Sequence, residues 1–469
     1  MKVVCLSGLD EIAALRTQIN ALNFASPRPD PFSTCEFYLN FIRHVERPVG
    51  DGIEDDGLKH YKSVSLWFLG AFDHDELIGY LALKLVTQVG RMGSRRKLDF
   101  LVGNEADRPH VVARLEHLEQ VTAAFYRYLG AVRDWDFLEL EQQDASSPLY
   151  PLPRSVHLRG CWIDEYPAWD NCTIRLRWST MEEYYRALSH NLRSALKRQL
   201  RKLLALGRLE LITSMDPEAT PALFDLYCSI ESRSWKSRTH VAISRDPARV
   251  QYFKALLDAR QPMQIVIQIL LLDGVPIAGL LSGSFCGPTE RGLYGLQAAF
   301  DRELSAIAPG SIILLLGMRY AILGGYAIFN LLSGFGYYKS RWLAESTSTR
   351  SVQIYRIGNL LFWRRLCGNV ARYLHLRKEL PSRSPFNPLR RSIDGEGNVR
   401  NAARGVYKMS VGAEDRAYYE GLVSRARQSK CEFLSTPELL VALEFMKGAS
   451  MPQMKTRPSD PVRTSSNSC

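Results

Sequence analysis

Four short stretches carry residue types that could do chemistry. Ala308-Pro309-Gly310-Ser311 opens an apolar run with Pro, Gly and Ser, the usual start of a helix. Such a start presents free backbone N–H groups and the positive end of the helix dipole, and so suits a pyrophosphate; it also describes an ordinary helix N-terminus. LSHNLRSALKRQLRKLLALGRLEL (188–211) places Arg193, Lys197 and Arg201 four apart, with Arg198 and Lys202 beside them and Leu192, Leu196, Leu200 and Leu203 as an apolar stripe. This reads equally as a clamp for phosphate or acidic sugar, a membrane-surface contact, or a solvated face on a packed helix. GFGYYKSRW (334–342) follows a strand pattern and brings Tyr337, Tyr338, Lys339 and Arg341 to its C-terminal end. SIESRSWKSR supplies Trp235 and Lys236, a weaker candidate that also fits an aromatic packed at a helix end. GxSxG, HExxH and Walker A patterns are lacking, the nine histidines are dispersed, and no metal site is expected.

The elements that must position these residues recur. VSLWFLGAF (64–72), a turn at Asp73–Glu76, LIGYLALKL (77–85) and KLDFLV (97–102) read as strands, followed by a helix near 110–130 and the strand WDFLELE (135–141). The same order returns as MQIVIQILLL (263–272), the Asp273-Gly274 turn, PIAGLLSGSF (276–285), GLYGLQAAF (292–300), a helix from about 311 to 323 and YAIFNLLSG (326–334). Helices are expected before each hairpin, at 10–22 and 33–47, then at 180–206, 219–236 and 247–259. Two copies of one order imply two similar α/β (α+β, mixed-sheet) domains. Their bounds read as 1–145, a linker at 146–170 with four prolines (Pro148, Pro151, Pro153, Pro167), 171–380, and a basic, partly disordered tail at 381–469 with short helical patterns near 413–428 and 436–447. The loop NEADRPHV (104–111) matches the second copy's 301–310 loop but is acidic and lacks the Gly, so an anionic cofactor is expected only in the second copy.

Composition narrows the class. The 469 residues are 46 % apolar and 23 % charged, with net charge +11, as in an ordinary globular protein with a mild bias toward acidic partners. Nine scattered cysteines without CxxC spacing fit a reducing compartment. The N-terminus meets Asp10 and Glu11 before any long apolar run, so it does not read as a signal peptide, and a cytoplasmic location is expected. SIILLLGMRYAILGGYAIFNLL (311–332) is long enough to span a bilayer, but Gly324-Gly325 break it; it reads as a buried helix followed by a buried strand.

From about Trp178 to Glu345 the chain resembles the GNAT-type acyltransferases of cellulose and exopolysaccharide biosynthesis, the CelD-like group. The resemblance rests on LSHNLRSALKRQLRKLLALG, LYCSIESRSWKSR, VPIAGLL, YGLQAAFDRELSAIAPGSIILL and GFGYYKSRW, in that order. It implies tandem GNAT-like acyl-CoA N-acyltransferase domains, as in the related Fem aminoacyltransferases. It also implies transfer of an acyl group, acetyl above all, from acyl-CoA to an amine or hydroxyl. Ala308, Pro309, Gly310 and Ser311 would then hold the pyrophosphate, and backbone N–H groups of the 294–299 strand would polarise the acyl carbonyl, with Leu296 and Ala298 also binding the cofactor. Tyr338 would transfer a proton, Lys339 bind charge, and Asp301 serve as base. Arg193, Arg198, Trp235 and Lys236 would face the acceptor, an anionic saccharide or an amine. The sequence departs from the group at Asn330, where an Asp is usual, and in Phe335-Gly336-Tyr337 before Tyr338. Alternatives are Fem-like transfer from aminoacyl-tRNA, and a non-catalytic scaffold of a polysaccharide-export system. Peripheral contact with membrane-bound polysaccharide machinery at the inner membrane is a further expectation.

Overall fold

The computed structural model describes residues 1–45, 61–90, 93–151, 158, 160–238, 242–258, 260–334, 337–373 and 412–446. The first unit runs β1 (Lys2–Leu6), α1 (Leu9–Ala14), α2 (Arg16–Ala25), α3 (Cys35–His44), β2 (Tyr61–Asp73), β3 (Glu76–Gly90), β4 (Gly93–Phe100), β5 (Val112–Ala113), α4 (Leu118–Ala131) and β6 (Phe137–Gln143). Two strands follow, β7 (Cys161–Pro167) and β8 (Asn171–Arg175). The second unit runs α5 (Met181–Ala187), α6 (His190–Leu206), β9 (Leu209–Ser214), α7 (Thr220–Arg233), α8 (Pro247–Leu256), β10 (Met263–Leu272), β11 (Val275–Cys286), β12 (Arg291–Phe300), α9 (Pro309–Leu323) and β13 (Ile328–Ser333). The chain continues through α10 (Tyr337–Ser340), β14 (Glu345–Thr347), β15 (Arg350–Arg356), α11 (Leu360–Tyr373), α12 (Ala413–Arg427), β16 (Glu432–Leu434) and α13 (Thr436–Ala442).

The repeat is visible in the sheets. One has the order β1-β2-β3-β4-β6-β15-β7, the other β9-β10-β11-β12-β13-β8-β14, with β16 outside β9. In each, the fourth and fifth strands form the parallel pair, β4 with β6 and β12 with β13. The sixth strands are exchanged, while the seventh, β7 and β14, stay with the unit they follow. β8, which follows the first unit, pairs with β13, and β15, which follows the second, pairs with β6. Each exchanged strand supplies hydrogen-bond partners to what would otherwise be an exposed sheet edge.

Three expected boundaries are corrected by the structure. The 146–170 linker contains the edge strand β7, and residues 350–356 belong to the first sheet. Residues 412–446 are no tail: β16 pairs with β9, and α12 buries Leu422, Val423 and Ala426 in the central core. The two short helices expected there are present, whereas the disorder expected for 381–411 and 447–469 lies outside the described residues.

The sheets face each other across a shared core that includes Phe41, Phe68 and Tyr80 of the first unit and Tyr227, Tyr252 and Ile267 of the second. Phe37 and Phe41 on α3 both set ring edges on Tyr252 of α8, at 5.9 and 5.8 Å. The outer face of the second sheet is covered by α6 and α9: the leucine stripe Leu192, Leu196, Leu200 and Leu203 packs with Ile312, Leu315 and Leu316. Burying a leucine side chain is worth about 2 kcal/mol, so this stripe alone orients α6 with its arginines outward. The 311–332 run is the helix and strand its glycine break suggested, and among the described residues no helix is long and apolar enough to cross a membrane.

Candidate active site

The parallel pair of the second sheet is short. β12 and β13 are in register only at Gly292–Tyr294 and Ile328–Asn330, yet β12 runs on to Phe300. Beyond Tyr294 the strands separate, and β12 keeps its partner β11 on one side only. A bulge falls in the same place. Leu281 faces Gln297 and Ser282 faces Gly295, which leaves Leu296 as the extra residue. The bulge re-aims the backbone beside the opening. The result is a cleft with an open strand edge over Gly295–Ala298, where Ala298 is exposed.

The start of α9 faces the same end of the sheet. Ala308 holds a left-handed conformation (φ 56°, ψ 58°), Pro309 takes the first helical position, and no side chain caps the helix. Its N-terminal dipole is therefore not neutralised by the protein. Gly310 has a packing role of its own: a Cβ there would lie 2.8 Å from the Phe300 ring at the end of β12. The glycine thus lets the helix start close onto the strand.

Two expected catalytic groups are engaged elsewhere. Asp301 caps the turn after β12 through Glu303 N (3.0 Å) and accepts from Arg233 Nε at 2.8 Å. Arg233 also donates to Tyr419 Oη and Pro276 O, both at 2.6 Å, so this pair bolts α12 to the sheet. Lys339 is buried, and its Nζ donates to Leu331 O (2.7 Å), Leu332 O (3.2 Å) and Ser333 O (2.9 Å). Three donors meeting three carbonyls exhaust the ammonium, so Lys339 closes the frayed end of β13 instead of facing a ligand. Desolvation lowers its pKa. Tyr338 beside it is 57 % exposed. Desolvation of the hydroxyl still pushes the phenol up to about 12, with Cys172 a smaller cause.

The expected acceptor residues are divided. On α6, Arg198, Arg201 and Lys202 are exposed, while Arg193 is half-buried and its Nε has no partner among the described residues. Trp235 is partly exposed. Lys236 is buried, donates to Gln297 at the bulge (2.5 Å) and lies 3.5 Å from Glu231, so it braces the cleft wall from behind.

An acid missing from the sequence pattern comes from the other unit. Asp107, in the acidic loop after β4, accepts from Asn330 Nδ2 at 2.9 Å and from Asn171 Nδ2 at 2.7 Å. Asn330 Oδ1 in turn accepts from Leu332 N at 2.8 Å, which fixes Leu332 at φ 58° and presents its carbonyl to Lys339. Glu105 of the same loop pairs with Arg249 on α8 at 2.7 Å. This loop is acidic because it docks onto the second unit. In the first unit β3 and β4 pair without a bulge, and Lys97, Asp99 and Glu139 form an ion cluster where its parallel strands meet.

The two units share one mixed-sheet strand order, and the open strand edge lies in the second. Residues 190–340 match the acetyltransferase (GNAT) domain family, covering α6 through α10. No curated protein matches the chain in sequence. Among solved structures, the C-terminal DUF2156 domain of a putative lysylphosphatidylglycerol synthetase from Agrobacterium fabrum is similar, with 13 % identity, 78 % of this chain and 97 % of that chain covered, and TM-score 0.44. FemX (12 % identity, 78 % and 99 % covered, TM-score 0.38) and a tandem GNAT protein from the clavulanic acid biosynthesis pathway (11 %, 76 % and 99 %, 0.41) are similar over the same extent.

Proposed function

We propose that the second unit moves an acyl group from acyl-CoA to an amine or hydroxyl acceptor. The observation that carries this reading is the coincidence of an uncapped helix start at Pro309-Gly310-Ser311 with the open, bulged edge of β12. The helix start suits the pyrophosphate, and the open backbone edge suits the amides of the acyl arm and the oxyanion that forms at the thioester carbon. In the reaction the acceptor's N or O bonds to the acyl carbon and gives up a proton to solvent, the C–S bond breaks, and the leaving thiolate takes a proton, so that one proton passes net from acceptor to thiol. Tyr338 is the group we assign to that last role: it is an exposed phenol at the C-terminal end of β13 and is protonated at neutral pH. With Asp301 and Lys339 engaged, an amine that arrives unprotonated is the acceptor best served. The exposed cations of α6 and the resemblance to exopolysaccharide acyltransferases favour an anionic saccharide carrying such a group. The same cations support a second reading, transfer from aminoacyl-tRNA.

Calorimetric titration of the full chain with acetyl-CoA and longer acyl-CoAs, followed by turnover of Tyr338→Phe, tests the proposal. Saturable acyl-CoA binding with turnover lowered in the variant at unchanged donor affinity is expected. Failure to bind any acyl-CoA, together with steeply salt-dependent tRNA binding, would favour the second reading.

A further inference from the structure

A second charged recess lies in the first unit, where β6 begins and the exchanged strand β15 ends. It has a volume of about 500 Å³ and is lined by Arg96, Arg133, Trp135, Asp136, Arg356 and Asn359, among others. Arg356 is only 9 % exposed. It lies 4.1 Å over the Trp135 ring, donates Nε to Trp135 O and Nη2 to Leu129 O, both at 3.1 Å, and has a buried Nη1 that meets no partner among the described residues. The single acid of this lining, Asp136, already accepts from Arg96 N at 2.7 Å and lies 3.5 Å from the Arg96 guanidinium. Three guanidiniums against one occupied carboxylate give the lining an excess of positive charge that suits an anion. Asn359, on its rim, caps α11 by accepting from Phe362 N at 2.7 Å, so the positive end of a 14-residue helix adds to the same field.

The helix that starts there is seated in a way that leaves an apolar stripe outside. Phe362 packs on Trp162 at 5.8 Å, and Arg365 reaches Asp164 at 2.5 Å. That seating turns Leu360 (57 % exposed), Trp363 (52 %) and Val370 (49 %) outward, one stripe at helical spacing, with Ile357 (53 %) just before it. Exposed tryptophan and aliphatic side chains beside an arginine-lined recess match the two layers of a bilayer surface.

We propose that α11 and the recess at its N-terminus dock the protein on an anionic phospholipid surface, a headgroup phosphate entering among Arg96, Arg133 and Arg356 and the Leu360–Trp363–Val370 stripe entering the acyl boundary. Charge decides the occupant. The chain that follows α11, residues 374–411, carries eight Lys and Arg against three Asp and Glu, the same sign as the recess, so charge complementarity favours an external anionic surface over this segment. The docking is independent of the acyl-donor reading, since none of these residues lies at the cleft.

The test is co-sedimentation of the full chain with vesicles of phosphatidylcholine alone and with about one third phosphatidylglycerol. Binding to the anionic vesicles only is expected, with Trp363 emission quenched by brominated acyl chains. Arg133→Glu, a change at an exposed position, and the pair Leu360→Ser with Trp363→Ser should each weaken vesicle binding at least about tenfold while leaving the melting transition and acetyl-CoA titration as in the parent. Equal binding to neutral vesicles, full binding by these variants, or loss only when Arg198 and Arg201 of α6 are reversed would overturn the proposal. Saturable binding of inorganic phosphate alone, with no vesicle binding, would assign the recess to a soluble anion and overturn it too.

Discussion

Replacing Ser311 by Asp separates ligand electrostatics from helix stability, because the two respond in opposite directions. Ser311 is the third residue of α9 and half-buried, and the first turn contains no acid. An acid at this position interacts favourably with the helix dipole, by about 0.3–1 kcal/mol, so the fold is expected to hold or gain slightly. A pyrophosphate at the same helix start would meet that carboxylate at roughly 5 Å. At an effective dielectric constant near 20, Coulomb's law gives about 3 kcal/mol of repulsion per charge, and screening trims this to about 2–3 kcal/mol. Acetyl-CoA affinity should therefore fall about 30- to 150-fold. Ser311→Asn, similar in size and uncharged, should bind like the parent. Calorimetric titration at low and moderate salt, with thermal melts in parallel, reads both effects; the loss should shrink as salt rises. If Ser311→Asp binds acetyl-CoA as the parent does, the pyrophosphate is not at this helix and the reasoning fails.

Other outcomes follow from the same structure. Asp107→Ala strands the buried amides of Asn171 and Asn330 and should cost about 2–5 kcal/mol in urea unfolding, whereas an isolated surface acid would cost under about 0.5. Asn330→Asp would set a second carboxylate against Asp107, so its destabilisation should ease at low pH, where one of the two takes a proton. Lys339→Met leaves three carbonyls unsatisfied and should lower unfolding stability by about 2–4 kcal/mol; a change confined to acetyl-CoA affinity, with stability intact, would return Lys339 to a ligand-binding role. Burial pushes Asp30 up to about 6 from 3.8, so its contribution is complete below about pH 4 and is lost as pH rises through about 6. Asp30→Asn should remove that decline, worth about 2–3 kcal/mol, from the stability–pH profile.

Hairpins and amphipathic helices were legible because their signals are local. The Asp273-Gly274 turn joins strands 263–272 and 275–286 almost as the alternation suggests, and the leucines of α6 are buried as their spacing requires. The exchanged strands were not legible. Asn171–Arg175 and Arg350–Arg356 are short, and their partners lie more than a hundred residues away, so nothing local marks them. The site was half legible for the same reason. Pro309-Gly310-Ser311 announces a helix start from its own residue types. The engagement of Lys339 depends on a backbone reversal at Leu332 and Gly334, both at positive φ, which only the folded chain displays. Asp107 looked like a cofactor loop gone acidic, because its partners Asn171 and Asn330 are on other elements. The one available cue was an unexplained pair of acids in a loop between core elements.

Amide hydrogen exchange of the full chain, with and without saturating acetyl-CoA, tests the central claim most directly. The account predicts slowed exchange confined to the second unit, at the amides of Gly295–Ala298 and of Gly310–Ile312, and no change in the first unit's β4 or in residues 103–110. Protection at the first unit's parallel strands, or no protection anywhere at saturating acetyl-CoA, would contradict it.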